Sequence, residues 1–145
     1  MNMEQLKLDQ QLCFPLYAAS RLVTGLYRPL LEELSLTYPQ YLVLLVLWEK
    51  ESVTVKELGE QLWLDSGTLT PLLKRMQEKD LVTRTRSSDD ERVVNITLTE
   101  AGKDLQAQAA AIPNQLLSCL HLEPEQAMQL REQLQNFLVQ HTQVS

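Results

Sequence analysis

Apolar residues along this chain fall into several helical runs and, between residues 81 and 98, into a stretch of different rhythm. Leu12, Leu16, Ala19, Val23, Leu26 and Leu30 recur at spacings of three and four, which draws a stripe along one side of a long helix. Cys13, Tyr17, Thr24, Tyr27 and Leu31 form a second row beside it, and so wide an apolar face predicts a subunit interface as well as a core. Pro29 lacks a backbone donor and is expected to bend or break that helix. Thr37, Pro39 and Gln40 then have the arrangement of a helix start, and the run from Tyr41 to Trp48 is apolar all round, as in a buried helix.

Thr54 and Glu57 have capping-box spacing, which predicts a short helix to about Leu62 with Leu58 and Leu62 on one face. Asp65 and Ser66 offer a second cap ahead of Leu69, Leu72, Leu73 and Met76, so two helices follow each other across a tight connection. The period then changes. Leu81 to Arg86 and Arg92 to Leu98 are rich in Val, Thr and Ile around the polar run Ser87 to Glu91, which reads as a hairpin. Helix, helix, hairpin over residues 53–98 is the order of a winged helix-turn-helix. Beyond it, Thr99 to Gly102 starts another helix, Pro113 interrupts it, and Glu123 and Pro124 open a last one through Leu130, Leu134, Phe137 and Leu138. Terminal helices with so little core of their own are expected to pair with those of a second subunit.

Charge sharpens this picture. The chain holds 13 basic and 19 acidic residues and a net charge of −6, which by itself argues against a polyanionic partner. Yet Lys74, Arg75, Lys79, Arg84, Arg86 and Arg92 gather on the second helix of the pair and on the hairpin. The constellation points to double-stranded DNA, with Ser66, Thr68, Thr70, Lys74 and Arg75 in the major groove. Arg84, Arg86 and Arg92 would serve the wing, with Asp90 pairing to Arg92 to set its shape.

Length and composition add bounds. A chain of 145 residues with 44% hydrophobic content can form a single mainly α domain with a small β-hairpin. No apolar run is long enough to span a membrane, and the start of the chain lacks a signal-peptide core, so a soluble cytoplasmic protein is expected. His121 and His141 have no Cys or His at ligand spacing and no glycine-rich phosphate loop is present, so neither metal nor cofactor is expected. Cys13 and Cys119 are too few for a disulfide framework and are either buried small hydrophobes or redox-active thiols.

The element order, with Asp90-Glu91-Arg92 and then Asn95 to Gly102, resembles the MarR family of dimeric transcriptional regulators. Leu12 to Arg21 together with Leu34 to Trp48 resembles its organic-hydroperoxide-sensing branch, the OhrR repressors. The match implies a single MarR-like domain over 1–145, with dimerisation helices at 8–36 and 113–145. It also implies a homodimer on a palindromic operator. A fast-reacting thiol needs hydrogen-bond donors, positive potential or a helix N-terminus to favour its anion. The resemblance supplies donors to Cys13 in Tyr27 and Tyr38, reaching it from the opposite subunit, with Tyr17 nearby. It further implies that Cys119 resolves oxidised Cys13 as an intersubunit disulfide, as in members of this branch with a second cysteine. Two rival readings stand beside a repressor released by organic hydroperoxide: a MarR-type regulator that answers to a phenolic or aromatic ligand, and a thiol peroxidase. Against the enzyme, only Arg21, two turns along, is near Cys13 to polarise a peroxide, so no catalytic residue is assigned.

Overall fold

The computed structural model describes residues 3–142. Positions 1–2 of the expected 1–145 domain, and the last three of the expected 113–145 segment, lie outside the described residues. Helix α1 spans Cys13–Glu32, α2 Tyr38–Lys50, α3 Val55–Leu62 and α4 Ser66–Glu78. Strands β1 (Ser52–Thr54), β2 (Val82–Arg86) and β3 (Val94–Leu98) form one antiparallel sheet in the order β1-β3-β2. Helices α5 (Glu100–Ala109), α6 (Ile112–Leu120) and α7 (Pro124–Val139) follow. Among the described residues no helix is long and apolar enough to cross a membrane, and no group of His, Cys, Asp or Glu could hold a metal ion.

The chain divides into two compact units, one of residues 27–110 and one made from the segments before and after it. Three helices of the central unit begin where local chemistry says they should. Thr37 and Gln40 form a full capping box at the start of α2, as do Thr54 and Glu57 at α3, while Asp65 accepts the Thr68 N–H at 2.8 Å to cap α4. α2 is the core helix: Tyr41, Val43, Leu44 and Leu47 are buried in it. Leu58 of α3 and Leu69, Leu73 and Met76 of α4 are buried too, at the helical spacing read from the sequence.

Two expectations change. Pro29 does not break α1, which runs on to Glu32. Pro29 lies in the last turn, where its missing donor costs the helix a single bond. The helix closes just beyond it through Ser35 at φ 57°, with the Leu36 N–H returning to the Leu31 carbonyl at 3.0 Å. The hairpin, in turn, is part of a three-stranded sheet: Val53 of β1 pairs with Ile96 of β3, which also pairs with Arg84 of β2.

In the other unit, two one-turn 3₁₀ segments (Glu4–Leu6 and Leu8–Gln10) precede α1. Pro113 falls within the first two positions of α6, so it opens a new helix after α5 has ended at Ala109. α7 buries no residue, and its Leu130, Leu134, Phe137 and Leu138 are exposed.

The join between the wing and α5 is tight. Thr99 donates its backbone N–H to Leu81 O at 3.1 Å and its hydroxyl to Asp80 O at 2.6 Å, and it accepts the Gly102 N–H at 3.0 Å. A Cβ on Gly102 would lie 2.5 Å from Leu81 O and 2.6 Å from a Leu98 methyl. Gly102→Ala should therefore destabilise the protein by about 1 to 3 kcal/mol despite the better helix propensity of alanine. Urea unfolding checks this, and an unchanged or raised midpoint would mean that the backbone there moves freely.

Candidate functional site

The DNA-reading candidates all lie on the central unit. Ser66, Thr68, Thr70, Lys74 and Arg75 are exposed on α4: Lys74 lies opposite buried Leu69, Leu72, Leu73 and Met76, and the others border that face. Their placement follows from the amphipathic period: once α4 buries its leucine face, its hydroxyls and cations must face water or a ligand. Pro71 sits inside α4 without ending it.

The wing is shaped by its own charges. Arg92 donates Nε to Asp90 Oδ1 at 3.1 Å and an Nη to Oδ2 at 3.2 Å, and its backbone N–H reaches Oδ1 at 3.0 Å. This pairing holds the Asp90 carboxyl below the usual carboxylate range. The Arg92 side chain is nonetheless 90% exposed, so the clip aims it outward without hiding it. Arg86 donates to the Glu91 carbonyl at 2.8 Å and is also exposed.

Arg84 behaves differently from the other cations. The β2–β3 register puts it on the same face as Val82, and it is only half exposed. It lines a groove of about 1030 Å³ between α3, α4 and the hairpin, together with Thr54, Lys56, Ser66, Thr70 and Arg92. Its Nε is buried without a hydrogen-bond partner. An uncompensated donor of this kind favours an acceptor entering the groove.

The thiol candidates divide between two helices of the other unit. Cys13 is the first residue of α1 and is exposed, and Cys119, near the end of α6, is exposed as well. Neither thiol is a buried small hydrophobe within the chain. The peptide N–H groups of the first turn have no partner inside a helix, so an anion at Cys13 meets favourable dipoles. Tyr17, one turn on and on the same face, accepts a hydrogen bond from Arg21 at 3.3 Å, and the Arg21 guanidinium also lies 5.4 Å from the Tyr17 ring centroid. Arg21 is thus engaged with Tyr17, whose hydroxyl proton stays available.

Tyr27 and Tyr38 come together in the central unit, their rings stacked at 5.0 Å between centroids and 9° between planes. Tyr41 packs against Tyr27 at 5.5 Å, a third member that the sequence places only in the apolar run of α2. Its spacing of three from Tyr38 on α2 is the signal that could have found it. Burial, followed by Tyr41 and Tyr38, pushes Tyr27 up to about 12. Burial also raises Tyr38 and Tyr41. These hydroxyls are therefore neutral donors at physiological pH.

Comparison with known proteins now adds to this geometry. A family model described as transcriptional regulator SarA/Rot matches residues 25–108. The organic hydroperoxide resistance transcriptional regulator of Bacillus subtilis strain 168 is 53% identical over 135 residues, covering 93% of this chain and 92% of the relative. The regulator SarZ of Staphylococcus saprophyticus is 44% identical, covering 94% of this chain and 93% of its own. Among solved structures, reduced AbfR bound to DNA superposes with a TM-score of 0.78 at 38% identity, covering 97% of this chain and 98% of that one. AbfR, from Staphylococcus epidermidis, is also solved with its disulfide formed, at a TM-score of 0.64 and 39% identity over 94% of this chain and 96% of that one. These relatives are transcriptional regulators and not enzymes, which sets the thiol peroxidase reading aside. With a family model over more than half of the chain and a relative this similar over nearly all of it, the chain belongs to the MarR-like winged-helix transcriptional regulators, in the branch of the organic hydroperoxide resistance regulators.

Proposed function

We propose that this chain is a homodimeric cytoplasmic repressor that holds a palindromic operator while Cys13 is reduced and releases it when an organic hydroperoxide oxidises Cys13. The observation that carries the reading is the exposed thiol at the very start of α1, with exposed Phe14 and Leu16 beside it to meet an apolar peroxide. The name of the Bacillus subtilis relative and the reduced, DNA-bound and disulfide forms of AbfR support it.

The chemistry balances in two steps. The Cys13 thiolate attacks the terminal peroxide oxygen, the O–O bond breaks, and an alkoxide leaves and takes a proton to become the alcohol. Cys13 becomes a sulfenic acid. The Cys119 thiol of the partner subunit then attacks that sulfur, forms the S–S bond and expels the oxygen as water. Tyr27 and Tyr38 serve as hydrogen-bond donors to the reduced anion. Between Cys13 and Tyr27 a helix rises roughly 21 Å at about 1.5 Å per residue, so donor and sulfur belong to different copies of the chain. A second copy would also cover the exposed apolar residues of α7, which have nothing to bury against in their own helix.

On DNA, two copies of α4 enter successive major grooves about one helical turn apart, and the Arg92 side chains reach the flanking backbone or minor groove. Arg92→Ala should weaken operator binding by about 1 to 3 kcal/mol, read by fluorescence anisotropy. A folded variant with unchanged affinity removes Arg92 from the interface. Cys13→Ser should bind the operator normally and keep it when cumene hydroperoxide is added, since a hydroxyl has no sulfur to oxidise. Release from Cys13→Ser would sink the sensing role. After a single equivalent of hydroperoxide, the wild type should run as a covalent dimer on non-reducing electrophoresis and Cys119→Ser as a monomer. Monomers in both, with release intact, would reduce Cys119 to a bystander.

A further inference from the structure

We propose that Lys79 is a positioning residue that couples the tyrosine corner between α1 and α2 to the recognition helix α4. The proposal rests on the thiol-sensing reading above and assigns the route by which a change at Tyr38 reaches the DNA-reading face.

Lys79 caps the C-terminus of α4, where its backbone N–H donates to the Arg75 carbonyl at 3.1 Å and Asp80 follows at φ 61°. Its main chain is therefore tied to the end of α4. Its side chain leaves the helix altogether: Nζ donates to the Ser35 carbonyl and to Gln40 Oε1, the latter at 3.1 Å. Both acceptors belong to the turn between α1 and α2 and the first turn that follows it. Gln40 is 4% exposed, and its Oε1 also accepts the Thr37 N–H at 3.1 Å as part of the box that starts α2. The two lone pairs of that oxygen are thus shared between the start of α2 and the end of α4.

Tyr38 lies inside this box, between Thr37 and Gln40, with its ring stacked on Tyr27. A backbone shift at Tyr38 carries Thr37 and Gln40 with it, because all three are in the first turn of α2. The ammonium that holds the same turn must follow or let go. A lysine stem held this way gives up rotamer freedom, and its two acceptors are a carbonyl and an amide oxygen. What it gains is a fixed link between two elements. α4 is a rigid rod of about 20 Å at 1.5 Å per residue. A displacement at its Lys79 end therefore swings Ser66, Thr68 and Thr70 at the other.

Lys79→Met keeps the stem and removes the donors. The Thr37 N–H still satisfies Gln40 Oε1, so the start of α2 should survive and the variant should fold. Operator affinity is measured for full-length reduced protein and for protein oxidised by cumene hydroperoxide, with Cys13 oxidation matched by intact mass. The expected result is reduced-state affinity within about threefold of wild type, an unchanged rate of Cys13 oxidation, and a ratio of oxidised to reduced Kd that falls by a factor on the order of ten. Lys79→Arg, which can donate to both acceptors, should restore the ratio. An unchanged ratio, or equal weakening in both states, overturns the coupling and leaves Lys79 as packing. Should Lys79→Met lose its cooperative unfolding transition, Lys79→Gln, too short for the Ser35 carbonyl, takes its place: a fallen ratio supports the coupling and an unchanged one overturns it. A wild type that keeps its operator when oxidised overturns the sensor reading and this proposal with it. A wild type that releases while the variant releases equally overturns the coupling alone.

Discussion

A polar group taken out of water must find partners, and in this chain that requirement falls on the Gln40 amide oxygen. It is met by the Thr37 N–H and the Lys79 ammonium, one from the start of α2 and one from the end of α4. Through these two donors the turn between α1 and α2 is tied to the end of α4. Tyr38, the first residue of α2, adjoins that turn, and its ring stacks on Tyr27 of α1. The position of the tyrosines and the aim of α4 are consequently parts of a single packing problem.

The proposed DNA-reading face solves a different problem, that of an acidic protein presenting cations. Among exposed charges the Asp90–Arg92 pair contributes little to stability, because solvent screens it. Its worth is geometric: a carboxylate that accepts from both side chain and backbone of Arg92 fixes the tip of the wing. Asp90, an acidic residue, thus positions a basic one. Phosphate contact depends on where cations stand and not on the balance over the whole chain.

Thiol chemistry asks for exposure, and both cysteines have it. An exposed sulfur at a helix start is open to an oxidant, while burial holds the proposed hydroxyl donors still more firmly in their neutral form, most of all Tyr27. The proposed dimer reconciles the two conditions by letting one copy supply the sulfur and the other the donors.

The elements most legible in the sequence are those set by interactions within one turn of helix. Thr37, Thr54, Asp65 and Thr99 each cap a backbone N–H three residues on, and that spacing marks each start. The amphipathic period of α4 likewise places Ser66, Thr68, Thr70, Lys74 and Arg75 on its exposed side. The family resemblance, rather than any spacing, names the tyrosines. Only the tertiary structure could add β1, whose three residues carry no period of their own and become a strand through pairing with β3. It also decided that Pro29 stays helical, that Arg84 turns into a groove, and that Lys79 reaches back to Ser35 and Gln40. The physical reason is range: a cap or a stripe is closed by neighbours a few residues apart, whereas these features are closed by partners that the chain brings together only when it folds.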